Sequence, residues 1–437
     1  MKKSIVTKND HTLGDKIQES KLGCGGSLLL LNNSAVDIVS VSGSLLAGDV
    51  FALETNSELA GMTAAMLDQG TAHHSKSEIE DLLESYGATI SFRSSPFRIY
   101  FTVSCLKDTL DEVIGLLAEM LYDPTFPENE LAVLKTRFTA MIKEDMENTR
   151  SQGTRAVTRV LFPENHPYFT TTSEEEALLT NRITRKEIES YYKKYINFST
   201  LLVSVVGDVS PQTKAVFEKY FSKTSTTETP SLPNIPRPRL QTKNRKEVLF
   251  IPGKANADML IGQSILLKQD GPDHLPLYLA LAIFGGGGFT SRLMNEVREK
   301  RGLTYGVNAT LSGVSPFSDC FLMIWATFAP KVVKVGKEVI LEEYHKLLKK
   351  GVTEKELREI KKELIGLYLV SLETTPRLSG LLLANKEGGR DKQYIDDYAH
   401  KLSDVTLSEV NLAIRAHLNP ETLSIVIAGT VDKDVLN

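Results

Sequence analysis

Residues 284–307 read FGGGGFTSRLMNEVREKRGLTYGV. Four consecutive glycines, Gly285 to Gly288, predict a loop with a bare, adaptable backbone, because glycine weakens helices and strands alike. Thr290 or Ser291 then offers an N-cap. Leu293, Met294 and Val297 form an apolar stripe on a short helix. Arg301-Gly302 ends that helix, with glycine at the usual C-terminal position. Leu303 to Val307 alternates like a strand. This reading puts Arg298 on the last helical turn and Tyr305 on the strand that follows. No Gly-Lys-Ser/Thr follows the glycines, which argues against a phosphate loop.

The chain has 437 residues, too many for one ordinary core, and two domains are expected. It is 41% hydrophobic and 24% charged, the balance of a soluble globular protein. A net charge of −4 gives no electrostatic reason to expect nucleic acid or an anionic membrane as partner. Cys24, Cys105 and Cys320 are far apart and form no Cys-x-x-Cys pair, so they read as buried free thiols. No apolar run reaches the ~18 residues of a membrane span. The start, MKKSIVTKNDHTLGDK, is basic but has no apolar stretch behind it. The chain as written therefore reads as cytoplasmic. A mature exported (periplasmic) chain with an added Met would read the same.

The first half opens with a strand, a glycine break and a second strand over Lys16 to Asn32, and another strand over Ala35 to Gly43. Helices are predicted over Ser57 to Gln69, Ser77 to Tyr86, Leu106 to Leu121 and Asn129 to Asp145, with two strands within Thr89 to Cys105. Thr184, with Glu187 three residues on, has the form of a capping box for a helix to Tyr195. Leu201 to Val206 is an apolar strand. Ser222 to Lys246 is rich in Ser, Thr and Pro and reads as a linker.

The second half repeats this order. Gly302 to Tyr305 answers Gly87 to Ile90, and Lys331 to Lys349 answers Leu106 to Leu121. Thr353 to Leu357 answers Pro127 to Leu131, and Leu423 to Ile427 answers Leu201 to Val206. A period of roughly 210 to 220 residues indicates a duplicated domain and not a short solenoid repeat. The expected boundaries are 1–221 for the first domain, 222–246 for the linker and 247–437 for the second. Paired strands with helices grouped after them argue an α+β class: a mainly antiparallel or mixed sheet with helices on one face, twice over.

The combination of glycine loop, Ser-Arg-Leu helix start, Arg-Glu-x-Arg-Gly-Leu-x-Tyr core and strand resembles the insulinase-type (M16) metallopeptidases. The branch that includes the mitochondrial processing peptidase is the most similar. The resemblance implies two homologous domains facing each other across a cleft, as half of a clamshell. It also implies that Arg298 and Tyr305, with Gly285, Gly286, Gly287 and Gly288, bind substrate backbone over a zinc site. Taken without the family, the same letters fit a glycine-rich connection before an ordinary polar helix end.

Active members carry His-x-x-Glu-His on a helix of the first domain, where the i and i+4 histidines share a face and bind zinc. Glu58 to Gln69 aligns with that helix without a gap. The histidine positions fall on Gly61 and Ala65, and the catalytic Glu position on Ala64. The distal ligand falls on Met141 or Ile142. None of these side chains binds zinc or moves a proton. The small face Gly61-Ala64-Ala65 reads as a close packing seam. His73 and His74 are adjacent and point different ways, and the other histidines form no i,i+4 pair and read as surface or loop residues. No G-x-S-x-G elbow and no nucleophilic cysteine motif is present.

The resemblance therefore implies a chain that is no peptidase alone and holds no metal or other cofactor, zinc being expected only in a partner subunit. That partner is a zinc-bearing homologue with His-x-x-Glu-His, and the substrate is an unstructured peptide. The alternative is an inert scaffold or assembly subunit on the same fold.

Overall fold

The computed structural model describes residues 12–33, 37–224 and 228–436. His11, Ala35, Val36 and residues 225–227 of the expected linker lie outside the described residues.

The first sheet contains β1 Gln18–Lys21, β2 Ser27–Asn32, β3 Ile38–Leu45, β4 Thr89–Ser94, β5 Ile99–Leu106 and β6 Leu202–Gly207. Its order is β1-β2-β6-β3-β5-β4. The second contains β7 Arg245–Phe250, β8 Ala257–Ser264, β9 Val307–Ser312, β10 Phe321–Phe328 and β11 Ser424–Gly429, in the order β7-β11-β8-β10-β9. In each sheet one parallel pair, β2 with β6 and β7 with β11, adjoins antiparallel strands. The second order repeats the first strand for strand, without a counterpart of β1. The duplication read from the sequence is therefore one of topology, and both domains are α+β with mixed sheets.

Helices cover both faces of the first sheet, not one. Alternate residues of a strand point to opposite faces. Leu28 and Leu30 of β2 enter the large core with Val41, Val103 and Val205. Leu29 and Leu31 enter a second cluster with Leu378 and Leu382. That explains why Ser27-Leu-Leu-Leu-Leu31 is apolar throughout: a strand buried on both sides has no polar alternation. The cover comes from the helix Thr375–Glu387, where Ser379 Oγ donates to Ser204 O (3.1 Å) and Thr375 Oγ1 lies 3.1 Å from Ser40 Oγ.

The second sheet has the reciprocal arrangement. The helix Thr149–Leu161 brings Val157 and Leu161 against Leu260, Val426 and Phe321. A Cβ at Gly153 would lie 2.3 Å from Leu260 Cδ2, so Leu260 would have to shift to admit a side chain there. Each sheet is thus finished by a helix from the other half of the chain. One compact unit combines the described residues up to Ala140 with Glu176–Asn234 and Leu367–His400. The other combines Met141–Glu175, Ile235–Gly366 and the residues from Lys401 onward. A division at 222–246 separates the two sheets but not the two units, because a sheet with a bare apolar second face is not a finished core.

All three cysteines are free and buried. Of the surface and loop readings, His166 takes the second: it lies in the loop after Leu161, fully buried, and stacks on Phe162 at 4.3 Å. Its Nδ1 accepts from Tyr168 N–H (3.0 Å), so Nε2 donates to Ser318 Oγ (3.0 Å). Burial pushes its pKa down from 6.5 to about 4. The folded ring stays neutral where the unfolded ring takes up a proton. Its contribution is therefore complete above pH 6.5 and is lost as pH falls toward 4. The shift corresponds to about 3 kcal/mol. Urea titrations at pH 7 and pH 4 should show this loss in the second unit, and His166→Asn should flatten that part of the slope.

Candidate functional site

The helix aligned with the family's zinc helix is Leu59–Met66. Its entry is set by Asn56, whose Oδ1 accepts from Glu58 N–H (3.0 Å). Ala60, Met62, Thr63, Ala64 and Met66 are buried in the first unit. Gly61 and Ala65 are half-exposed, and a Cβ on Gly61 would meet nothing within 4 Å. The packing-seam reading thus fails at Gly61, because that position faces open space. On the helix Glu128–Asp145, Met141 is 59% exposed and Ile142 only 6%. His73 is exposed, and His74 Nδ1 lies 2.9 Å from Glu119 Oε1. No three His, Cys, Asp or Glu among the described residues are grouped to hold a metal ion.

Two outcomes are expected here. Elemental analysis of the purified chain should find no stoichiometric zinc. Gly61→Ala should raise stability by about 0.5–1 kcal/mol, since it removes a mid-helix glycine without a clash. A melting curve that falls would show that glycine is needed there.

The glycine run of the second unit is not the irregular loop predicted from composition. Ala282–Gly286 forms a π-helical turn and Gly288–Thr290 a 3₁₀ turn. Tertiary packing overrides glycine's weak propensity. A Cβ at Gly285 would lie 2.7 Å from Ala309 N, and one at Gly287 would lie 2.8 Å from Ile360 Cδ1. The absent side chains let the turn lie against β9 at Gly285 and against the helix Glu354–Ser371 at Gly287. Gly285 and Gly287 are buried, while Gly286 and Gly288 are exposed.

Ser291 follows as a cap, with its Oγ accepting from Met294 N–H (3.4 Å). The next turns are π-helical over Met294–Glu299. Single π turns are rare and often mark functional positions. Leu293, Met294 and Val297 are buried, as their spacing predicts. Arg292 ties this segment to Glu356 through two bonds, Nε to Oε1 at 2.6 Å and Nη2 to Oε2 at 2.8 Å. Burial opposes ionisation of Glu356, but the bonds from Arg292 and Thr353 outweigh it and hold its pKa at about 2.

Gly302, at φ +60, ends the helix; its N–H donates to Arg298 O (2.8 Å). The strand begins at Val307, so Tyr305 lies in a bend before β9 and not on it. Thr304 sets the bend, its hydroxyl accepting from Gly306 N–H (3.1 Å) and donating to Thr327 O. The Tyr305 ring is 83% exposed and Phe289 is 70% exposed. Arg298 sits between them, its Cζ 5.0 Å from the Tyr305 centroid and 4.9 Å from that of Phe289. The fold therefore joins Arg298 and Tyr305, and adds Phe289, which the sequence reading passed over although it directly follows the glycines.

Among the described residues neither the Arg298 guanidinium nor the Tyr305 hydroxyl makes a hydrogen bond. The nearest carboxylate to Arg298, Glu299, is 3.7 Å away. Donors without a hydrogen bond beside exposed aromatic rings are suited to binding an external acceptor.

Residues 29–164 match the family model for "Insulinase (Peptidase family M16)", and residues 182–364 match that for "Peptidase M16 inactive domain". The chain belongs to peptidase family M16. Within M16 it is 23% identical to the "Non-peptidase homolog YmxG" of Helicobacter pylori, over 86% of this chain and 85% of that one. It is also 23% identical to an "Uncharacterized zinc protease YmxG" of Bacillus subtilis, over 89% and 92%. A crystal structure of a peptidase M16 inactive domain from Pseudomonas fluorescens superposes with a TM-score of 0.85, at 24% identity over 94% of this chain and 97% of the other. That likeness establishes the M16 fold. No helix among the described residues is long and apolar enough to cross a membrane.

Proposed function

We propose that this chain is the non-catalytic, substrate-binding subunit of a two-chain M16-type zinc peptidase. Its second unit positions an extended, unstructured peptide, and a partner with His-x-x-Glu-His supplies the zinc. The observation that carries this reading is the half-buried Arg298 between the exposed rings of Phe289 and Tyr305, with donors that have no hydrogen-bonding acceptor among the described residues. An extended peptide offers carbonyl oxygens to such donors. Neither group acts as a base near neutral pH, so their part is positioning and stabilisation of the developing oxyanion. At the aligned positions, Gly61, Ala64, Ala65 and Met141 or Ile142 offer no chemistry for zinc or proton transfer. We place the chain in the cytoplasm, with the periplasm as the alternative.

Mixing the chain with a His-x-x-Glu-His homologue from the same organism tests this. Light scattering should show a complex of both chains, and the mixture should cleave an unstructured peptide faster than the homologue alone. A chain that stays monomeric beside every such homologue would rule the reading out. The second reading, an inert scaffold, draws on the similarity to the "non-peptidase homolog". It expects assembly without any gain in cleavage.

A further inference from the structure

The two sheets correspond strand for strand except at one edge. In the first sheet β1 lies antiparallel on β2, with Glu19 opposite Leu29 and Lys21 opposite Ser27. In the second sheet β7 takes the place of β2, and no strand among the described residues lies on its outer side.

The surroundings of the two edges correspond as well. The helices Thr149–Leu161 and Thr375–Glu387 each have 13 residues. Counted from their starts, Ala156, Arg159 and Glu164 stand where Leu382, Asn385 and Arg390 stand. In the first unit those residues, with Glu19 of β1, line a space of only about 10 Å³, and Glu19 pairs with Lys386. In the second unit, Ala156, Arg159 and Glu164, with Arg245, Glu247 and Leu249 of β7, line an open groove of about 450 Å³. What β1 fills in one unit is empty in the other.

The backbone of β7 is poised to pair. Arg245 N–H donates to Leu423 O (2.9 Å) and Ile251 N–H to Gly429 O (3.0 Å), so odd-numbered residues bond β11. By alternation, Lys246 and Val248 turn their N–H and C=O outward. The turn Lys433–Leu436 packs beside β7, where Lys246 Nζ donates to Leu436 O (2.9 Å), but among the described residues no backbone hydrogen bond joins the turn to β7. Unpaired edges of this kind take up extended chains.

We propose that the outer edge of β7 is a binding site for an extended peptide of a partner protein, which adds as the sixth strand of the second sheet, antiparallel to β7. The groove side of β7 presents Leu249, Glu247 and Arg245 in that order to an antiparallel strand. Directly opposed side chains determine pairing preference. The matching ligand therefore reads, from its N-terminus, apolar-x-basic-x-acidic. Arg159, Arg239 and Arg245 have no carboxylate within 4.0 Å among the described residues, which leaves them available to the acidic position. This site goes beyond the proposed subunit role and does not depend on it.

The test is an anisotropy titration of the full chain with the fluorescein-labelled, end-blocked peptide Val-Thr-Lys-Thr-Glu-Thr. Saturable binding is expected. Val248→Pro removes an outward N–H that no neighbour uses, a change edge strands tolerate. It should weaken binding by about tenfold or more. Exchanging Lys and Glu in the peptide should weaken it similarly. Should Val248→Pro fail to fold, N-methylation of alternate peptide residues tests the same bonds from the ligand side, with the same loss expected. Absence of saturable binding, or equal binding by the charge-exchanged or N-methylated peptide, overturns the proposal. So does a dimer of the chain that Val248→Pro dissolves, which would assign the edge to a second copy. The titration needs neither zinc nor a partner subunit, so its failure leaves the role of Arg298 and Tyr305 standing.

Discussion

Replacing Arg298 by alanine, or Tyr305 by phenylalanine, is expected to lower turnover of the reconstituted two-chain complex by about two to three orders of magnitude, the effect of losing one oxyanion donor. The structure makes the test sharper than the sequence does. Tyr305 is 83% exposed, so its hydroxyl supports no core. Phenylalanine keeps the ring that stacks on Arg298 and removes only the donor. Its melting temperature should match that of the parent chain. Arg298→Ala removes a cation–π stack at the surface, with Arg298 half-buried between exposed rings; such a stack stabilises by about 0.5–1 kcal/mol, so its melting temperature should fall only slightly. Zinc content and assembly should stay constant in both, because in the proposed complex the metal would belong to the partner. Turnover of Tyr305→Phe near the parent value would remove the hydroxyl from the mechanism and favour the scaffold reading.

The largest effect on stability is expected from Glu387→Ala, at the end of the helix that closes the first sheet. Glu387 Oε1 accepts from Ser44 Oγ (2.5 Å) and lies 3.3 Å from Arg98 Nε, and Oε2 accepts from the Tyr100 hydroxyl (2.9 Å). Arg98 is buried, and burial works against its charge while Glu387 supports it. Removing the carboxylate leaves a buried guanidinium without its counter-charge. Such a loss costs about 3–5 kcal/mol. For a unit of this size that is a fall in melting temperature of about 6–20 °C. The double replacement Arg98→Leu with Glu387→Leu should be less destabilising than Glu387→Ala, since no charge is stranded. A Glu387→Ala chain that melts like the parent would show that the helix is held by its apolar face alone.

Much of the fold was legible because its signals are local. Thr184 and Glu187 form the capping box that their spacing predicts, and Gly302 ends its helix at positive φ. The order of strands around the two parallel pairs follows the repeat visible in the residues. The exchanged helices were not legible. Thr149–Leu161 carries few large apolar residues, because it only has to cover the second face of a sheet whose other face already has a core. Nothing within those thirteen residues says which sheet they cover. Gly61 looked like a packing contact for the same reason: small residues mark both close approach and open space, and only the neighbours distinguish them. The burial of His166 in its loop was not legible because its bond to Ser318 joins distant stretches.

The residues by themselves determined the family, the duplication and the lack of a His-x-x-Glu-His motif, and they singled out Arg298 and Tyr305 as candidates. Each of these is a matter of residue type and spacing along the chain. Only the tertiary structure decided that Arg298 stacks between Phe289 and Tyr305 without a hydrogen bond, that each sheet is finished by a helix from the other half, and that among the described residues β7 lacks the neighbour β2 possesses. Those facts depend on which surfaces remain uncovered after every strand and helix has found its partner, and that accounting closes only when the whole chain is folded.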